Sequence, residues 1–396
     1  MSSPSSLKHR IVEIDRLQPN QVYELPPTLG LTPAQEKQCR WSAYSSELVL
    51  HANLLDLHAN ANFSRHLQRT FDPAEADVFF VPLFPACFLF NCWTEGGGWD
   101  LSKRCRVDEE YILPILSFVK GEGYWKSDRE GVRNHIIAHP MDRGDDYYEP
   151  ATIAAMRNNT IYLITSGDKR PAPFSQHLQP TTDIIIPSAT HLLHSYHIDP
   201  RDYLDSAGRP LATSRCGTTD ERSVKVIFRG GGASESEGEA YSLGIRDLFY
   251  PTEMHPGFSS LPSWSIAISS SNGEYAAILA RSQYGLVPPG YTLDTTRLYE
   301  YLAFGVVPVF LGAGSRGGQQ LPFEADVDYE AFSVFVSREQ VHRLPQILHR
   351  ITEEERKRLQ RGVWGIGRLL VLDKKEGNAW KFIARELCRR GLGSTN

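Results

Sequence analysis

A chain of 396 residues exceeds the size that one hydrophobic core normally serves, so its length favours two domains. Hydrophobic residues make up 41% of the chain and charged residues 22%, a globular balance that excludes wholesale disorder. With 42 basic and 47 acidic residues, the net charge is −5, and this weak acidity argues against a protein built mainly to bind nucleic acid.

Membrane spans and a cysteine scaffold are also excluded. No segment reaches the roughly 18 uninterrupted apolar residues of a membrane span, and the polar start over residues 1–10 lacks the apolar core of a signal peptide. Six cysteines are too few for a disulfide-built scaffold, and even one disulfide requires an oxidising compartment. Cys87, Cys92 and Cys105 cluster without a histidine at zinc-finger spacing, so no zinc site is expected there.

The first half of the chain predicts a parallel α/β unit. After an N-terminal arm over residues 1–40, the spacing of leucines predicts a helix over residues 44–66. Asp72 is expected to cap a short helical turn that begins at Pro73. The apolar runs predict buried strands over residues 78–84, 134–138, 160–165 and 183–186.

The second half has the same alternation. Residues 199–221 are polar and contain Pro and Gly, so they are interpreted as the linker between the halves. Helices are predicted over residues 274–281 and 295–304, with Gly305 ending the second in a left-handed conformation. Thr352 is expected to cap a further helix. The predicted strands cover residues 224–228, 284–287, 306–311 and 332–336.

This alternation predicts the fold class and the domain boundaries. Strand–helix–strand units produce parallel sheets with right-handed crossovers, so we expect an α/β fold of two Rossmann-like domains. The predicted divisions are an arm over 1–40, a first domain over 41–205, a second domain over 206–375 and a C-terminal helix over 376–396.

Two segments of the second half follow predicted strands, at the sheet edge where ligands of doubly wound folds bind. In the first, Arg229 precedes three glycines, residues 230–232. Glycine permits close backbone approach to a phosphate and arginine neutralises its charge, although a plain turn is the alternative. The second segment, Pro288-Pro289-Gly290, forces an abrupt turn at the rim of the sheet.

A third segment opens the helix predicted at residue 295. Asp294, Thr295 or Thr296 is expected to cap this helix, so that its free N–H groups face a pyrophosphate with Arg297 as the counter-charge. Glu300 lies on the same helix face as Arg297, where its carboxylate is placed to accept hydrogen bonds from ribose hydroxyls. An exposed ion pair of little energetic weight is the alternative interpretation.

The order of these motifs resembles a known family. Ser-Gln-Tyr-Gly-Leu-Val-Pro-Pro-Gly (282–290), Thr-Thr-Arg-Leu-Tyr-Glu (295–300) and Gly-Val-Val-Pro-Val (305–309) are similar to three motifs of the exostosin family, glycosyltransferase family 47. Those motifs are Ser-x-Phe-Cys-Leu-x-Pro-x-Gly, Ser-x-Arg-x-x-Glu and Gly-Cys-x-Pro-Val. Further matches cover residues 72–82, 131–136, 183–187 and 225–230, so the resemblance spans about residues 40–370.

The resemblance implies a GT-B architecture, in which two Rossmann-like domains face each other and the active site lies in the cleft between them. It also implies an inverting transferase that moves a sugar from a nucleotide sugar, mostly UDP-linked, to a glycan or glycoprotein acceptor, without a cofactor. Residues 41–205 then form the acceptor side, and residues 206–375 bind the donor. The implied donor-binding residues are Arg229, Gly230, Ser282, Gly290, Thr295, Arg297 and Glu300.

An inverting displacement needs a base that takes the proton of the acceptor hydroxyl. His135 and Asp142 are the leading candidates from the first half, followed by His139 and His51. For His135, a structural histidine inside an apolar strand is the alternative.

No metal site is expected. Asp326 and Asp328 form the Asp-x-Asp of the other large glycosyltransferase fold, but the surrounding topology is wrong and a solvated loop is expected. The spacing of His191, His194 and His197 is helical and indicates a partly exposed helix face.

Three positions depart from the family pattern. Tyr284 and Val306 stand where the family often has cysteine, and Pro289 stands where it often has a basic residue. Two alternative functions therefore stay open: a non-catalytic glycan-binding or partner subunit of a hetero- or homodimer, and a retaining transferase or phosphorylase. Family precedent places such enzymes at the Golgi membrane, whereas the polar start and the few cysteines favour a soluble, cytosolic chain.

Overall fold

The computed structural model describes residues 21–22, 26, 28, 30–39, 46–55, 69–96, 106–125, 133–142, 144–170, 178–211, 222–232, 238–253, 256–312, 318–372 and 379–390. The chain divides into two compact units. The first unit comprises residues 1–165, 176–187 and 378–396, and the second comprises residues 166–175 and 188–377. The main change of unit therefore follows Pro187, ahead of the predicted division after residue 205, and the C-terminal helix belongs to the first unit.

The described residues form the following strands and helices. The strands are β1 (Gln21–Val22), β2 (Phe79–Val81), β3 (His135–His139), β4 (Thr160–Ile164), β5 (Ile184–Ile185), β6 (Val224–Arg229), β7 (Trp264–Ala267), β8 (Ser282–Val287), β9 (Val307–Leu311) and β10 (Val334–Val336). The α-helices are α1 (Pro33–Cys39), α2 (Ser46–Leu55), α3 (Pro85–Gly96), α4 (Leu113–Gly121), α5 (Pro150–Arg157), α6 (Asn272–Ala280), α7 (Arg297–Ala303), α8 (Leu344–Arg350), α9 (Glu353–Gly365) and α10 (Ala379–Arg389).

The first unit contains one parallel sheet in the order β1-β2-β3-β4-β5. Strands β2 to β5 are buried along their whole length, as expected for apolar runs that are covered on both faces. Strand β2 ends at Val81, because Pro82 has no N–H group to continue the ladder. The predicted turn is confirmed, since the Asp72 side chain accepts a hydrogen bond from the backbone N–H of Ala74, with Pro73 in first position.

The second unit contains a parallel sheet in the order β10-β9-β8-β6-β7. The chain moves from β6 to β7 on one side and then places β8 on the other side of β6. The strand order therefore reverses between β6 and β8, and ligands of open α/β sheets bind beyond the carboxyl ends of strands at such a point. Two parallel α/β sheets in two units confirm the predicted fold class of two Rossmann-like domains.

Two predicted helix ends in the second unit are also confirmed. Gly305 follows α7 with φ +66°, and a methyl group on its α-carbon would overlap the indole of Trp364, so only glycine fits there. Thr352 caps α9, where its hydroxyl accepts a hydrogen bond from the backbone N–H of Glu355.

Other boundaries differ from the prediction. Helix α2 covers Ser46–Leu55, and residues 44–45 and 56–66 of the predicted helix lie outside the described residues. The described part of the predicted linker is folded, with a 3-10 turn over Pro200–Asp202 and a β-bridge between Leu204 and Pro210. Strand β10 begins only at Val334, because a 3-10 turn precedes it.

A disulfide joins Cys39, the last residue of α1, to Cys87 in α3. Cys92 is also disulfide-bonded, and Cys105 lies outside the described residues. Among the helices in the described ranges, none has the length and apolar character to cross a membrane.

Candidate active site

The candidate site lies at the carboxyl edge of the second sheet, where β6 and β8 end side by side. Strand β6 runs directly into Gly230, and β8 runs into Pro288, Pro289 and Gly290. The first residue of α7, Arg297, reaches this edge: its Nε donates a hydrogen bond to the carbonyl of Arg229. Three of the predicted residues, Gly230, Gly290 and Arg297, are therefore brought together.

Gly230 makes room for the Arg297 guanidinium. Gly230 has φ +154°, and a methyl group on its α-carbon would lie 2.8 Å from Nη2 of Arg297. The Nη1 atom of Arg297 donates to the hydroxyl of Thr295 at 3.3 Å. Thr295 and Arg297 therefore contact each other at the start of α7.

A second guanidinium, from Arg246, completes the cluster. Arg246 begins a 3-10 turn over Arg246–Leu248 and is only 4% exposed. Its Nη1 donates to the Tyr241 hydroxyl at 2.5 Å and to the Gly231 carbonyl at 3.4 Å. Its Nη2 lies 3.6 Å from the position of a methyl group built on Gly290. Its buried Nε has no hydrogen-bond partner among the described residues.

Arg246 and Arg297 form a concentrated positive charge. Their Cζ atoms lie 5.4 and 5.2 Å from the ring centroid of Phe228, so both guanidinium groups contact one aromatic ring. Burial, together with the charge of Arg297, lowers the pKa of Arg246 to about 10. Neither guanidinium forms an ion pair with a carboxylate in the part of the chain that is described. Two adjacent cations are suited to bind an anion with several negative oxygens.

Two tyrosines border this charge. The rings of Tyr241 and Tyr291 meet edge to face at 5.0 Å, and Tyr291 is 51% exposed. The backbone N–H of Ser242 donates to the Gly290 carbonyl at 2.9 Å, which ties the Tyr241 turn to the end of β8. Ser242 and Leu243 have φ values of +57° and +55°, a costly conformation that is often found at ligand sites.

The side chain of Arg229 does not join the cluster. Its Nη1 and Nη2 donate to the carbonyl and hydroxyl of Ser265 on β7, at 2.6 and 2.9 Å, and its Nε donates to Ser270 at 3.1 Å. This guanidinium fastens β6 to β7 instead of facing donor phosphates. Arg229 contributes to the site through its backbone carbonyl, which holds Arg297.

Ser282 is a further correction. It is the first residue of β8 and pairs with Val224, the first residue of β6. It therefore lies at the amino edge of the sheet, a whole strand away from Gly290. Its buried hydroxyl donates to the carbonyl of Ile278 at 2.6 Å, so Ser282 closes the preceding helix and does not shape a nucleotide pocket.

The predicted cap of α7 is not formed. The capping position is Thr296, which has helical backbone angles and makes no side-chain capping hydrogen bond. The Asp294 carboxylate instead accepts a hydrogen bond from the Ser188 hydroxyl at 2.8 Å. Because α7 has only seven residues and no side-chain cap, we assign the anion site to the two guanidinium groups and not to the helix end.

Glu300 is buried behind the site. Its carboxylate accepts a hydrogen bond from the Tyr275 hydroxyl at 2.8 Å, and the backbone N–H of Leu192 also contacts it. Burial raises its pKa, although Tyr275 and Arg297 partly oppose that change. The ribose contact predicted for Glu300 therefore has no exposed carboxylate to make it, and the side chain supports α7 from inside.

In the first unit, His135 is a structural residue. It begins β3 at the amino edge of the sheet and is fully buried. Its ring stacks on Phe79 at 5.0 Å and lies 4.6 Å from Trp125, and Nδ1 contacts the side-chain oxygen of Asn134 at 2.8 Å. Burial lowers its pKa to about 4. This burial and stacking favour the structural alternative for His135 over the role of a catalytic base.

Asp142 is more exposed than the candidate histidines His135 and His139. It follows the carboxyl end of β3, is half-buried, and accepts a hydrogen bond from the Tyr147 hydroxyl at 2.9 Å. His139 is fully buried beside Asp145, at 3.6 Å between Nε2 and Oδ1. His51 stacks on Phe80 at 5.9 Å, and burial lowers its pKa to about 4.

The Asp-x-Asp motif and the three spaced histidines make the following contacts. Asp328 caps a 3-10 turn and accepts a hydrogen bond from the backbone N–H of Glu330. His191 and His194 lie on a short π-helix, where His194 contacts the carbonyl of Leu372, while His197 leaves that helix with φ +52°. The predicted helix face thus holds two of the three histidines.

A comparison with known protein families gives the class of this site. A model of the Exostosin GT47 domain matches residues 21–351, which is more than half of the chain. The chain belongs to the Exostosin GT47 family. It is accordingly a glycosyltransferase, as the resemblance of its motifs implied.

Relatives of this GT47 chain are plant proteins. The probable glucuronoxylan glucuronosyltransferase IRX7 of Arabidopsis thaliana is 25% identical over 378 residues, covering 91% of this chain and 74% of that protein. A probable glucuronosyltransferase of Oryza sativa subsp. japonica is 26% identical, covering 86% and 71%. A solved glycosyltransferase of Rickettsia africae ESF-5 aligns with a TM-score of 0.36 and 12% identity, over 95% of this chain and 98% of that one.

Arg246, Tyr241 and Tyr291 are residues of this GT47 site that the sequence motifs do not indicate, and Arg246 is the charged one. It follows a turn without regular periodicity and belongs to none of the quoted motifs. Its role depends on the long-range approach of its turn to Gly231 and Gly290, for which the local sequence carries no signal.

Proposed function

We propose that this GT47 chain is an inverting glycosyltransferase that moves a sugar from a UDP-sugar to a hydroxyl group of a glycan. The observation that supports this proposal is the pair of guanidinium groups, Arg246 and Arg297, at the glycine-lined carboxyl edge of β6 and β8. A diphosphate carries the charge and the multiple acceptor oxygens that two such groups bind well.

In this proposal, the donor extends from the guanidinium pair toward the two tyrosines. The exposed ring of Tyr291, braced edge to face by Tyr241, offers a surface on which the uracil base stacks. Aromatic rings stack on any base, so the two tyrosines account for the affinity for the base and not for its identity. The choice of uracil follows from the family resemblance.

The reaction is one in-line displacement. The acceptor oxygen forms a bond to the anomeric carbon while the bond from that carbon to the diphosphate oxygen breaks, and the departing electron pair goes to the diphosphate. Arg246 and Arg297 stabilise this negative charge in place of a metal ion. Asp142, held by the Tyr147 hydroxyl, is the proposed base for the acceptor proton.

A donor screen tests the proposal. UDP-glucuronate is the first donor to try, because the plant relatives carry the name glucuronosyltransferase. We expect release of UDP from one UDP-sugar, undiminished by EDTA, and an inverted anomeric configuration in the proton NMR spectrum of the product. A product of unchanged configuration would contradict the inverting assignment, and loss of UDP release in EDTA would contradict the metal-free one.

A further inference from the structure

A second cavity lies at the opposite, amino-terminal edge of the second sheet. Its volume is about 700 Å³, within the range of small-molecule sites. Arg222 and Gln283 line it at the starts of β6 and β8, and one face of α9 lines it from the side. The cavity is thus separated from the donor edge by the length of the strands.

Positive charge dominates the lining of this cavity. The Glu353 carboxylate contacts Arg356 at 2.5 Å and Lys357 at 3.5 Å, and Asp205 contacts Arg209 at 2.7 Å. Among the described residues of the lining, Glu353 is the one carboxylate, whereas five side chains are cationic. The cations of the lining are Arg209, Arg222, Arg356, Lys357 and Arg361.

Arg222 is a buried cation of this lining that backbone carbonyls hold. It is 8% exposed, and its Nη atoms donate to the carbonyls of Ser282 and Phe304, both at 2.7 Å, and of Gly208 at 3.2 Å. No carboxylate pairs with it among the described residues. Burial and the nearby charge of Arg356 lower its pKa to about 9.

We propose that this cavity is a second anion-binding site, which takes a diphosphate group. A diphosphate matches the excess of positive charge, and the exposed Lys357 and Arg361 side chains offer N–H donors to its oxygens. Free pyrophosphate and the diphosphate of a nucleotide share this chemistry. A single carboxylate compensates less of the charge and offers fewer acceptor oxygens.

The same groups also hold the carboxyl end of α7, whose first residue belongs to the donor site. Arg222 binds the carbonyl of Phe304, and the side-chain amide of Gln360 donates to the carbonyl of Gly305 at 3.1 Å. An anion in this cavity therefore contacts groups that are bonded directly to the end of the helix that presents Arg297.

Calorimetric titration of the whole chain with inorganic pyrophosphate tests the proposal. We expect two binding sites per chain, one of which disappears in the Lys357→Gln/Arg361→Gln variant. Both replaced residues are exposed, so the variant is expected to fold, and a thermal melt checks this. The matched control Arg338→Gln/Arg343→Gln removes the same charge elsewhere on the unit and should keep both sites.

The Arg246→Gln/Arg297→Gln variant separates this site from the donor site. If it retains one pyrophosphate equivalent, which then disappears when Lys357 and Arg361 are also replaced, the proposal holds. If UDP and pyrophosphate bind to the retained site but uridine does not, the diphosphate of a nucleotide is a ligand of this site. If pyrophosphate binds and UDP does not, the ligand is the free anion. Absence of the second equivalent, or equal loss in the Arg338/Arg343 control, would overturn the proposal. Retention of two equivalents would instead contradict the donor-site assignment.

Discussion

Gly230 sets the position of Arg297 at the donor edge. In Gly230→Ala, the new methyl group meets Nη2 of Arg297 at 2.8 Å and the backbone must hold φ +154°, which alanine disfavours. We expect weaker UDP binding with a modest loss of stability, because the displaced atom ends a flexible side chain. Gly231→Ala is the matched control, since nothing lies within 4 Å of its added methyl group. Calorimetry with UDP checks this, and equal affinities for the two variants would refute the account of Gly230.

Asp142 is the residue on which the proposed proton transfer depends. In Asp142→Asn, a base that accepts a proton is replaced by an amide of the same shape, so kcat should fall by about 10² to 10⁴. UDP affinity should stay unchanged, because Asp142 belongs to the first unit and the guanidinium pair to the second. Steady-state kinetics with calorimetry measures both quantities, and a variant with wild-type kcat would exclude Asp142 as the base.

At single positions, the sequence predicted location better than orientation. Arg297 and Gly290 lie at the sheet edge that the sequence predicts, because a helix start and a strand end fix where such residues lie. The side chain of Arg229 was placed wrongly, since a strand position does not reveal that Ser265 on the next strand binds it. Arg246 was missed because tertiary contacts alone bring it to the site.

Among the strands and helices, the hydrophobic pattern predicts most elements. Hydrogen bonds of polar side chains with residues elsewhere in the chain determine where some of these elements end. Asp294, Thr295 or Thr296 is the expected cap of α7, but Ser188 donates to the Asp294 carboxylate and Thr296 makes no capping hydrogen bond. Ser282 lies at the strand end opposite to the site, which the motif resemblance alone does not distinguish.

Strand β3 gives a prediction about pH. Burial holds the pKa of His135 at about 4, against an ordinary value of 6.5, so between these values the unfolded chain binds the proton more readily. Stability of the first unit should therefore fall as the pH is lowered from 6.5 to 4, by up to about 3 kcal/mol from this residue. Burial raises the pKa of Glu47, which acts in the opposite sense, so the histidine term is read from a difference between variants.

Urea unfolding at pH 7 and pH 4.5 measures that difference. His135→Gln should lose less stability between the two pH values than the wild-type chain does. The same substitution at His342, an exposed residue of the second unit, should leave the wild-type difference. An unchanged pH dependence in His135→Gln would show that His135 is not held in its neutral form by the fold.

At the scale of the whole molecule, the fold class followed from the alternation of strands and helices, but the division between the units did not. Residues 199–211 have the composition of a linker, yet they form a capped turn and a bridge within the second unit. Composition indicates local irregularity, whereas a domain boundary depends on which contacts a segment makes across the chain.

The Cys39–Cys87 disulfide gives a prediction at this scale. It closes 48 residues of the first unit, and the loop-entropy relation assigns about 4 kcal/mol of stability to such a closure. Cys39→Ser/Cys87→Ser should lower the unfolding free energy of the first unit by about that amount in urea. UDP affinity should not change, because the guanidinium pair lies in the second unit. An equal loss of UDP affinity would show that the donor site depends on the first unit.

Arg246 and Arg297 together are assigned the donor diphosphate, and calorimetric titration of their variants with UDP examines this assignment. Hydrogen bonds to charged groups contribute about 1.5–3 kcal/mol, so Arg246→Gln and Arg297→Gln should each weaken UDP binding by roughly tenfold to a hundredfold. The double variant should bind more weakly than either single variant. Wild-type affinity for UDP in all three variants would contradict the assignment of the donor site.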